Sequence, residues 1–497
     1  PYEELRQIGR EFDERNPEFL MREIAAGRSD DVCVILYTSG TTAKPKGVCL
    51  THRAFIAAAR GDVAFDGFSE RDSVLSYLPM AWVGDHLFSY AQALVAGFTV
   101  NCPESSETVM TDLREVGPTY YFAPPRVFEN LLTQVMIRMD DAGRIKKWLF
   151  DACMRVAQRC GAEILDGRPV NAIDRLLYRI GDLLIYGPLR NVLGMSRLRV
   201  AYTGGAAIGP DLYRFYRSIG INLKQLYGQT ETAAYVCKQP NGEAKFDSVG
   251  KPLPGVDIRI AANGEVLVRT PSMLKEYYKR PDATAESISA DGYFMTGDAG
   301  FWDNDGHLKI IDRSKDVGKL NDGTLFAPQF LENKLKFFPF IKEAVCFGDQ
   351  RDAVCALVNI DLQAVGNWAE KRGLAYAGYV DLAARPEVYA LIQECVEKAN
   401  ADLAREPHLA PSQIRRFLVL HKELDADDDE LTRTRKVRRG FIAEKYAPLV
   451  DALYGGAERC TIETEVKFED GRRARIKADI AILNVEPSAA QPARRAA

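Results

Sequence analysis

Four short apolar runs rich in β-branched and aromatic residues, VCVIL (Val32–Leu36), SVLSYL (Ser73–Leu78), LRVAYT (Leu198–Thr203) and NLKQLY (Asn222–Tyr227), are separated by stretches with apolar residues every three to four positions. Alternation of the two periods restricts the chain to α/β architectures, because strands joined through crossover helices come back parallel. From Val127 to Leu193 only the helical period is present. Phe128, Leu132, Val135 and Met139 share one face, then Ile145, Leu149, Ala152, Val156 and Cys160, then Ile173, Leu177, Ile180 and Leu184. The expected fold is therefore α/β, with a large N-terminal domain of parallel-type sheets that carries a helical insertion. After Tyr235 the period shortens, and VDIRIAANGEVLVRT predicts a hairpin with a type I′ turn at Asn263-Gly264, the start of a small β subdomain. Mixed strands and helices beyond LKIIDRSKD predict a smaller α+β C-terminal domain. TIETEVKFEDGRRARIKADIAIL adds a predicted hairpin about Asp470-Gly471. The expected boundaries are 1–312 for the large domain, 313–486 for the small one with its hairpin, and 487–497 for a disordered tail.

Charge and cysteine usage exclude several classes of function. A net charge of -4 gives no global basic field for nucleic acid. The basic cluster RTRKVRR (Arg433–Arg439) is local and follows the acidic run DADDDE. Ten cysteines without a C-x-x-C pair fit a reducing, cytoplasmic compartment and argue against a zinc ribbon or disulfide scaffold. The most apolar stretch, LFSYAQALVAGFTV from Leu87, is too short to span a bilayer. RIKKWLFDACMRVAQR from Arg144 is amphipathic and basic, which leaves open either peripheral contact with a membrane or packing on the large domain.

The segment LYTSGTTAKPKGV (Leu36–Val48) puts hydroxyl groups, glycines and lysines directly behind a strand. Such a loop can cradle phosphates, since glycine lets backbone N–H groups approach an anion and lysine adds charge. It is not a Walker loop: six residues stand between Gly40 and Gly47, and Val48 and Cys49 follow instead of Lys and Ser or Thr. A polar surface loop is the alternative. Further along stand AYTGGAAI, then LYGQTETAAY (Leu226–Tyr235), DGYFMTGDAG (Asp291–Gly300) with Asp298 expected in a glycine-bounded turn, IDRSKDVGKL (Ile311–Leu320) and ELTRTRKVRRGF (Glu430–Phe441). Together, in this order, the segments resemble the adenylate-forming superfamily of acyl-CoA synthetases, peptide-synthetase adenylation domains and luciferases, over the chain up to about Tyr454. PTYYFAPPRVFENLL (Pro118–Leu132), the helical insertion and LTRTRKVRR resemble its long-chain acyl-CoA synthetase branch. Three departures stand out. Trp82 in PMAWVGDH takes a place where the family often has histidine or another aromatic, and the hairpin after Cys460 is outside the common core. The α/β stretch ahead of the phosphate loop is reduced to thirty-odd residues, so the large domain is expected to lack its first strands.

The resemblance implies a chemistry and assigns residues to it. A carboxylic acid reacts with ATP to give acyl-adenylate and pyrophosphate, and the thiol of coenzyme A then displaces AMP. Thr38, Ser39, Gly40, Thr41, Thr42, Lys44, Lys46 and Gly47 would hold the β- and γ-phosphates. Glu231 with Thr38 would bind Mg²⁺ through oxygen. Gly204, Gly205 and Ala206 would flank adenine, with Tyr227 stacked on it and Gly228, Gln229 and Thr230 completing the turn. Asp298 would accept the ribose hydroxyls, and Arg313 and Lys319 would add charge at the ribose and phosphate side. Lys436 would compensate charge at the α-phosphate as the catalytic lysine of the first step, and Lys315 matches the hinge about which a mobile small domain would rotate between the two steps. Trp82 would line the acyl or pantetheine channel, with Leu87, Phe88 and Tyr90 lining it or belonging to the core. The implied co-substrates are a long-chain fatty acid, ATP and coenzyme A. An aryl-CoA ligase or fatty acyl-AMP ligase of the same superfamily remains an alternative, as does a non-catalytic nucleotide-binding relative.

Overall fold

The computed structural model describes residues 1–38, 45–140, 142–205, 208–405, 409–425, 428, 430–431, 437–467 and 473–488. The chain forms two compact units, Pro1–Thr296 with Phe301–Lys309 and Gly297–Gly300 with Ile310–Ala497. The strands of the first unit are β1 (Val32–Thr38), β2 (Lys46–Thr51), β3 (Ser73–Leu75), β4 (Thr99–Asn101), β5 (Tyr120–Phe122), β6 (Val200–Thr203), β7 (Leu223–Tyr227), β8 (Cys237–Lys238), β9 (Lys251–Pro252), β10 (Asp257–Ile260), β11 (Glu265–Arg269) and β12 (Glu276–Tyr277). The division between the units runs through β13 (Phe294–Trp302) and β14 (Leu308–Arg313).

Seven strands make the main sheet in the order β4-β3-β5-β6-β7-β8-β9. From β4 to β7 every pair is parallel, as the alternating periods require, and β8 and β9 add antiparallel edges. Both faces are covered, so the central strands β5 and β6 are apolar apart from Thr203, while β7 carries Lys224 and Gln225. Tyr120 and Phe122 of β5 point into one core with Phe55, Phe88, Tyr202 and Leu226. Tyr121, between them, points into the other with Phe128, Ala201, Tyr216 and Leu223.

VCVIL does not join this sheet. It lies in β1, which pairs antiparallel with β2 in a three-stranded sheet completed by β12. Residues 39–45 are too few for the crossover that a parallel neighbour needs. β1 is an edge strand in which only Leu36 is buried. The hairpin of β10 and β11 forms as expected, but its turn differs. Gly264 N–H bonds to Ala261 O at 2.8 Å and Gly264 alone takes a positive φ, +86°, giving a type I turn closed by a glycine bulge instead of a type I′ turn. Asn263 accepts from Glu265 N–H at 3.1 Å, which favours this form.

The helical insertion comprises Pro125–Asp140, Arg144–Leu165, Ala172–Gly181, a π-helical segment Asp182–Tyr186 and Gly187–Val192. Helix Arg144–Leu165 packs on the large unit through Phe150, Cys153, Met154, Ala157, Cys160 and Gly161. A Cβ on Gly161 would meet Ser218 O at 2.0 Å, so only glycine fits there. The buried face is thus turned from the one read by periodicity, and Ile145 is exposed. The stripe Ile173, Leu177, Ile180 and Leu184 is likewise outside. Tyr178 and Tyr186 are buried instead, because their hydroxyls find carbonyl partners at Ser218 and Cys153.

One fully buried charge cluster ties the helix His52–Asp66 to the main sheet. Lys238 Nζ lies 2.9 Å from Asp62 and 3.1 Å from Asp66, and Lys224 Nζ lies 3.4 Å from Asp66. Tyr202 and Gln92 each donate a hydrogen bond of 2.7 Å to these carboxylates.

In the second unit the short strands β15 (Gly318–Lys319) and β16 (Leu325–Phe326) pair together. The strands β17 (Ile341–Phe347), β18 (Val354–Ile360), β19 (Ile414–Val419), β20 (Arg459–Lys467) and β21 (Arg473–Asn484) form a sheet in the order β17-β18-β19-β21-β20. The terminal hairpin is part of this sheet: Leu483 pairs with Phe417, and Ile462, Ile480 and Ile482 join the core around Leu449 and Leu453. Its expected turn at Asp470-Gly471, and the tail from residue 489, lie outside the described residues.

Candidate functional site

Strands β1 and β2 hold the ends of the phosphate-loop candidate in fixed register. Thr38 pairs with Lys46, and its hydroxyl approaches Lys46 O at 3.5 Å. Ser39, Gly40, Thr41, Thr42 and Lys44 lie outside the described residues. Lys46 and Gly47 belong to β2 and not to the loop. A Cβ on Gly47 would stand 3.0 Å from Ile35 and 3.3 Å from Tyr278, so this glycine also serves close packing.

Lys46 Nζ sits 4.9 Å from the centroid of the Tyr277 ring, and the Tyr277 hydroxyl donates to Glu231 Oε1 at 2.9 Å. Tyr277 arrives on β12, which pairs with β2 through Tyr277 and Val48. The structure therefore joins the hairpin of the phosphate-loop candidate to the acidic turn through a residue that sequence reasoning missed. Burial, and then the Glu231 carboxylate, raise the Tyr277 pKa, so the phenol stays a donor. The other Glu231 oxygen, Oε2, accepts no hydrogen bond among the described residues and is the oxygen a hard cation would take. No group of three or more His, Cys, Asp or Glu suited to a metal exists among the described residues. One carboxylate beside a candidate phosphate site would fit Mg²⁺, which takes one or two carboxylates and completes its shell from water and substrate phosphates.

Glu231 lies in a single 3₁₀ turn, Thr230–Thr232, directly after β7. Gln229 and Thr232 cap that turn reciprocally, and Gln229 Nε2 donates to Thr296 O at 2.9 Å. Ala233 and Ala234 follow at φ +50° and +57°, strained for residues with a Cβ. The chain so turned presses on Gly228, where a Cβ would stand 2.4 Å from the Ala234 backbone. Gly204, after β6, is similarly close to Leu226, at 2.9 Å, while Gly205 takes φ +83° in open space. These turns stand at the carboxyl ends of adjacent parallel strands, where open α/β sheets bind ligands. Tyr227 ends β7 between them, and Ala206 is outside the described residues.

Asp298 is not in a turn. It lies inside β13, next to Gly297 at φ +68°, which kinks the strand. Asp298 Oδ1 pairs with Arg313 Nη1 at 2.9 Å, uniting two residues assigned to the ribose side. Lys315 is in the turn after β14, and Lys319 is in β15, where its N–H bonds to Asp349 at 2.9 Å. Lys436 lies outside the described residues, but its flanks do not. Leu431 and Val437 form an antiparallel bridge, and Arg438 N–H bonds to Glu430 O at 3.0 Å. The Glu430 side chain is fully buried and accepts from Lys422, Lys445, Tyr446 and Asp425 N–H. Arg439 pairs with buried Glu332, whose carboxyl burial pushes up to about 7. Trp82 packs on Phe122 with centroids 5.3 Å apart and covers Gly84; Leu87 and Phe88 are core, and Tyr90 is partly exposed.

A parallel α/β sheet with close-packed glycine turns at its strand ends, followed by a small α+β unit, is the architecture of an adenylate-forming enzyme. Residues 3–278 match the family described as AMP-binding enzyme, and residues 315–458 match the AMP-binding enzyme C-terminal domain. The chain belongs to this family. It is 34% identical over 442 residues to the long-chain-fatty-acid–CoA ligase FadD15 of Mycobacterium tuberculosis, covering 88% of this chain and 72% of that protein. It is 29% identical over 447 residues to long-chain-fatty-acid–CoA ligase 1 of Homo sapiens, covering 86% and 61%. The fold is similar to that of O-succinylbenzoate coenzyme A synthetase (MenE) from Bacillus subtilis in complex with AMP, with a TM-score of 0.52 at 21% identity over 83% of this chain and 69% of that one. It is also similar to apo MatB from Rhodopseudomonas palustris, with a TM-score of 0.54 at 19% identity over 85% and 70%.

Proposed function

We propose that the chain is an AMP-forming acyl-CoA synthetase that acts on long-chain fatty acids, in the cytoplasm or at the periphery of a membrane. A carboxylate oxygen attacks the α-phosphorus of ATP, and the bond to the β-phosphate oxygen breaks to release pyrophosphate. The thiolate of coenzyme A then attacks the acyl carbon, and the C–O bond to AMP breaks. Both partners of the first step are anions, so charge compensation is the main work of the site. Thr38, Lys46 and the loop between them hold the β- and γ-phosphates, and Lys436 neutralises charge at the α-phosphate. Glu231, with Thr38, would hold Mg²⁺, whose positive charge would offset that of the phosphates. Gly204, Gly205, Tyr227 and Gly228 receive the adenine, and Asp298 with Arg313 the ribose. Lys315 serves as hinge, Lys319 adds charge, and Trp82 borders the acyl or pantetheine channel.

The observation that supports this reading best is the link from Lys46 through Tyr277 to Glu231, which couples a phosphate-binding cation to a metal-binding anion. The experiment is pyrophosphate release across a panel of acids, with and without coenzyme A, for the wild type and Glu231→Gln. Long-chain acids should support release, and thioester should form only with the thiol. Glu231→Gln should lower adenylate formation about 10²-fold at limiting Mg²⁺, the usual loss for one preorganised charge-stabilising group. Activity confined to aryl acids, or an unchanged Mg²⁺ dependence, would overturn the assignment.

A further inference from the structure

Six large apolar side chains, Ile173, Leu176, Leu177, Ile180, Leu183 and Leu184, face water along helix Ala172–Gly181 and the π-helical segment that continues it. They recur at i, i+3, i+4, i+7, i+10 and i+11, one continuous stripe, and each is 41% to 78% exposed. An amphipathic helix of a globular protein ordinarily turns such a stripe inward. Here Tyr178, Gly181 and Tyr186 make the inward face, so the stripe is surplus to the core.

The charge around the stripe says what would cover it. Arg175 and Arg179, one turn apart, are exposed in the sector beside the leucines. The neighbouring helix Arg144–Leu165 runs antiparallel, fixed by the Arg159–Asp174 ion pair and the Tyr186–Cys153 hydrogen bond. Its exposed first turn carries Arg144, Lys146 and Lys147 together with the outward-facing Ile145 and Trp148. Nine basic and five acidic residues lie between Arg144 and Arg190, whereas the whole chain has a net charge of -4. The exposed stripe of helix Tyr2–Arg15 differs, since Glu3, Glu4, Glu11, Asp13 and Glu14 outnumber Arg6, Arg10 and Arg15 there and leave the helix net acidic.

We infer that this face of the helical insertion docks on an anionic lipid bilayer, with the leucine stripe entering the headgroup boundary and the basic residues meeting lipid phosphates. The inference rests on surface chemistry and is independent of the catalytic reading. The full chain is tested by flotation with vesicles of phosphatidylcholine alone or with about one third phosphatidylglycerol. The wild type should float with the anionic vesicles, and salt should weaken the association. Arg175→Gln with Arg179→Gln should lower that partitioning about 25-fold, roughly fivefold per basic contact. Leu176→Ser with Leu183→Ser should remove flotation while circular dichroism and turnover of a water-soluble acid stay unchanged. Failure of the wild type to float overturns the inference, as does unchanged flotation of either double variant. A leucine variant that turns a dimer into a monomer by light scattering, with vesicle binding intact, assigns the stripe to a second copy and overturns it too.

Discussion

Replacing Glu430 by glutamine tests how the segment that carries Lys436 is held. The Glu430 carboxylate is fully buried and accepts four hydrogen bonds, from Lys422 Nζ at 2.7 Å, Asp425 N–H at 2.9 Å, Tyr446 Oη at 2.7 Å and Lys445 Nζ at 2.8 Å. Glutamine keeps one acceptor oxygen and replaces the other with an NH₂ donor. Whichever way the amide turns, that donor faces two further donors, and each orphaned group costs about 1–3 kcal/mol. Lys422 and Lys445 keep Asp428 at 2.8 and 3.7 Å, which limits the damage. A loss of about 3 kcal/mol is expected, within the range for breaking a buried ion pair. The assay is native-state hydrogen exchange on β18 and β19, where opening should become roughly 150-fold more frequent. Tyr446→Phe, which removes one donor and leaves the charges paired, should cost only about 1 kcal/mol. Because Leu431, Val437 and Arg438 are anchored around Glu430, acyl-adenylate formation should fall with Glu430→Gln. Equal exchange in the two variants would refute the argument that the carboxylate holds this segment.

Lys436→Ala should slow acyl-adenylate formation by at least about 10²-fold and leave thioester formation from supplied acyl-adenylate nearly untouched, as separate half-reaction assays would show. Gly228→Ala puts a Cβ 2.4 Å from the Ala234 backbone, so ATP affinity measured by calorimetry should fall about tenfold or more as the turn shifts. His421 is buried, and burial followed by Lys422 lowers its pKa to about 4. With the folded pKa below the unfolded one, its contribution to stability is full above about 6.5 and is lost as pH falls toward about 4. His421→Asn should therefore flatten the acid limb of the second unit's stability between those values, read by urea unfolding at a series of pH values.

Three strands of the parallel sheet, β3, β6 and β7, were legible as apolar runs, but β4 and β5, three residues each, were not, and the equally apolar VCVIL went to the hairpin of β1 and β2. The glycine turns after β6 and β7 were legible by resemblance, and the structure places Gly204 and Gly228 at the ends of adjacent parallel strands. Periodicity showed that 172–184 is helical but not which side faces in, because two buried tyrosines with carbonyl partners outcompeted a run of leucines. The position of Asp298 was misread because glycines at 297 and 300 look like a turn, whereas one positive φ inside β13 accommodates Gly297. Tyr277 carried no signal of its own. Its partner Glu231 is 46 residues away, and a tyrosine in a two-residue strand is indistinguishable by sequence from any core aromatic.

The buried charges of the first unit were equally hidden, because charged side chains such as Asp62, Asp66, Lys224 and Lys238 are buried only where partners from distant segments meet them. Burial prevails at Asp62 and Lys224 and is outweighed by the ion pairs at Asp66, whose carboxyl is lowered, and at Lys238. It raises the Asp62 carboxyl to about 6 against the pull of Lys238 and lowers the Lys224 ammonium to about 8, while Lys238, caught between two carboxylates, is raised. Apolar side chains of the same volume would fill such a core at no loss of stability. What the charges add is a single permitted pairing: Lys238 must meet both carboxylates of one helix, and Lys224 and Tyr202 must meet the second of them. A slip of β7 by one residue would send Lys224 to the opposite face and leave Asp66 with one cation fewer in a dry interior. The strands fixed in this way, β6, β7 and β8, are those that lead into Gly204 and into the turn from Tyr227 to Glu231. Register in the core thus becomes placement of the residues proposed to receive the nucleotide.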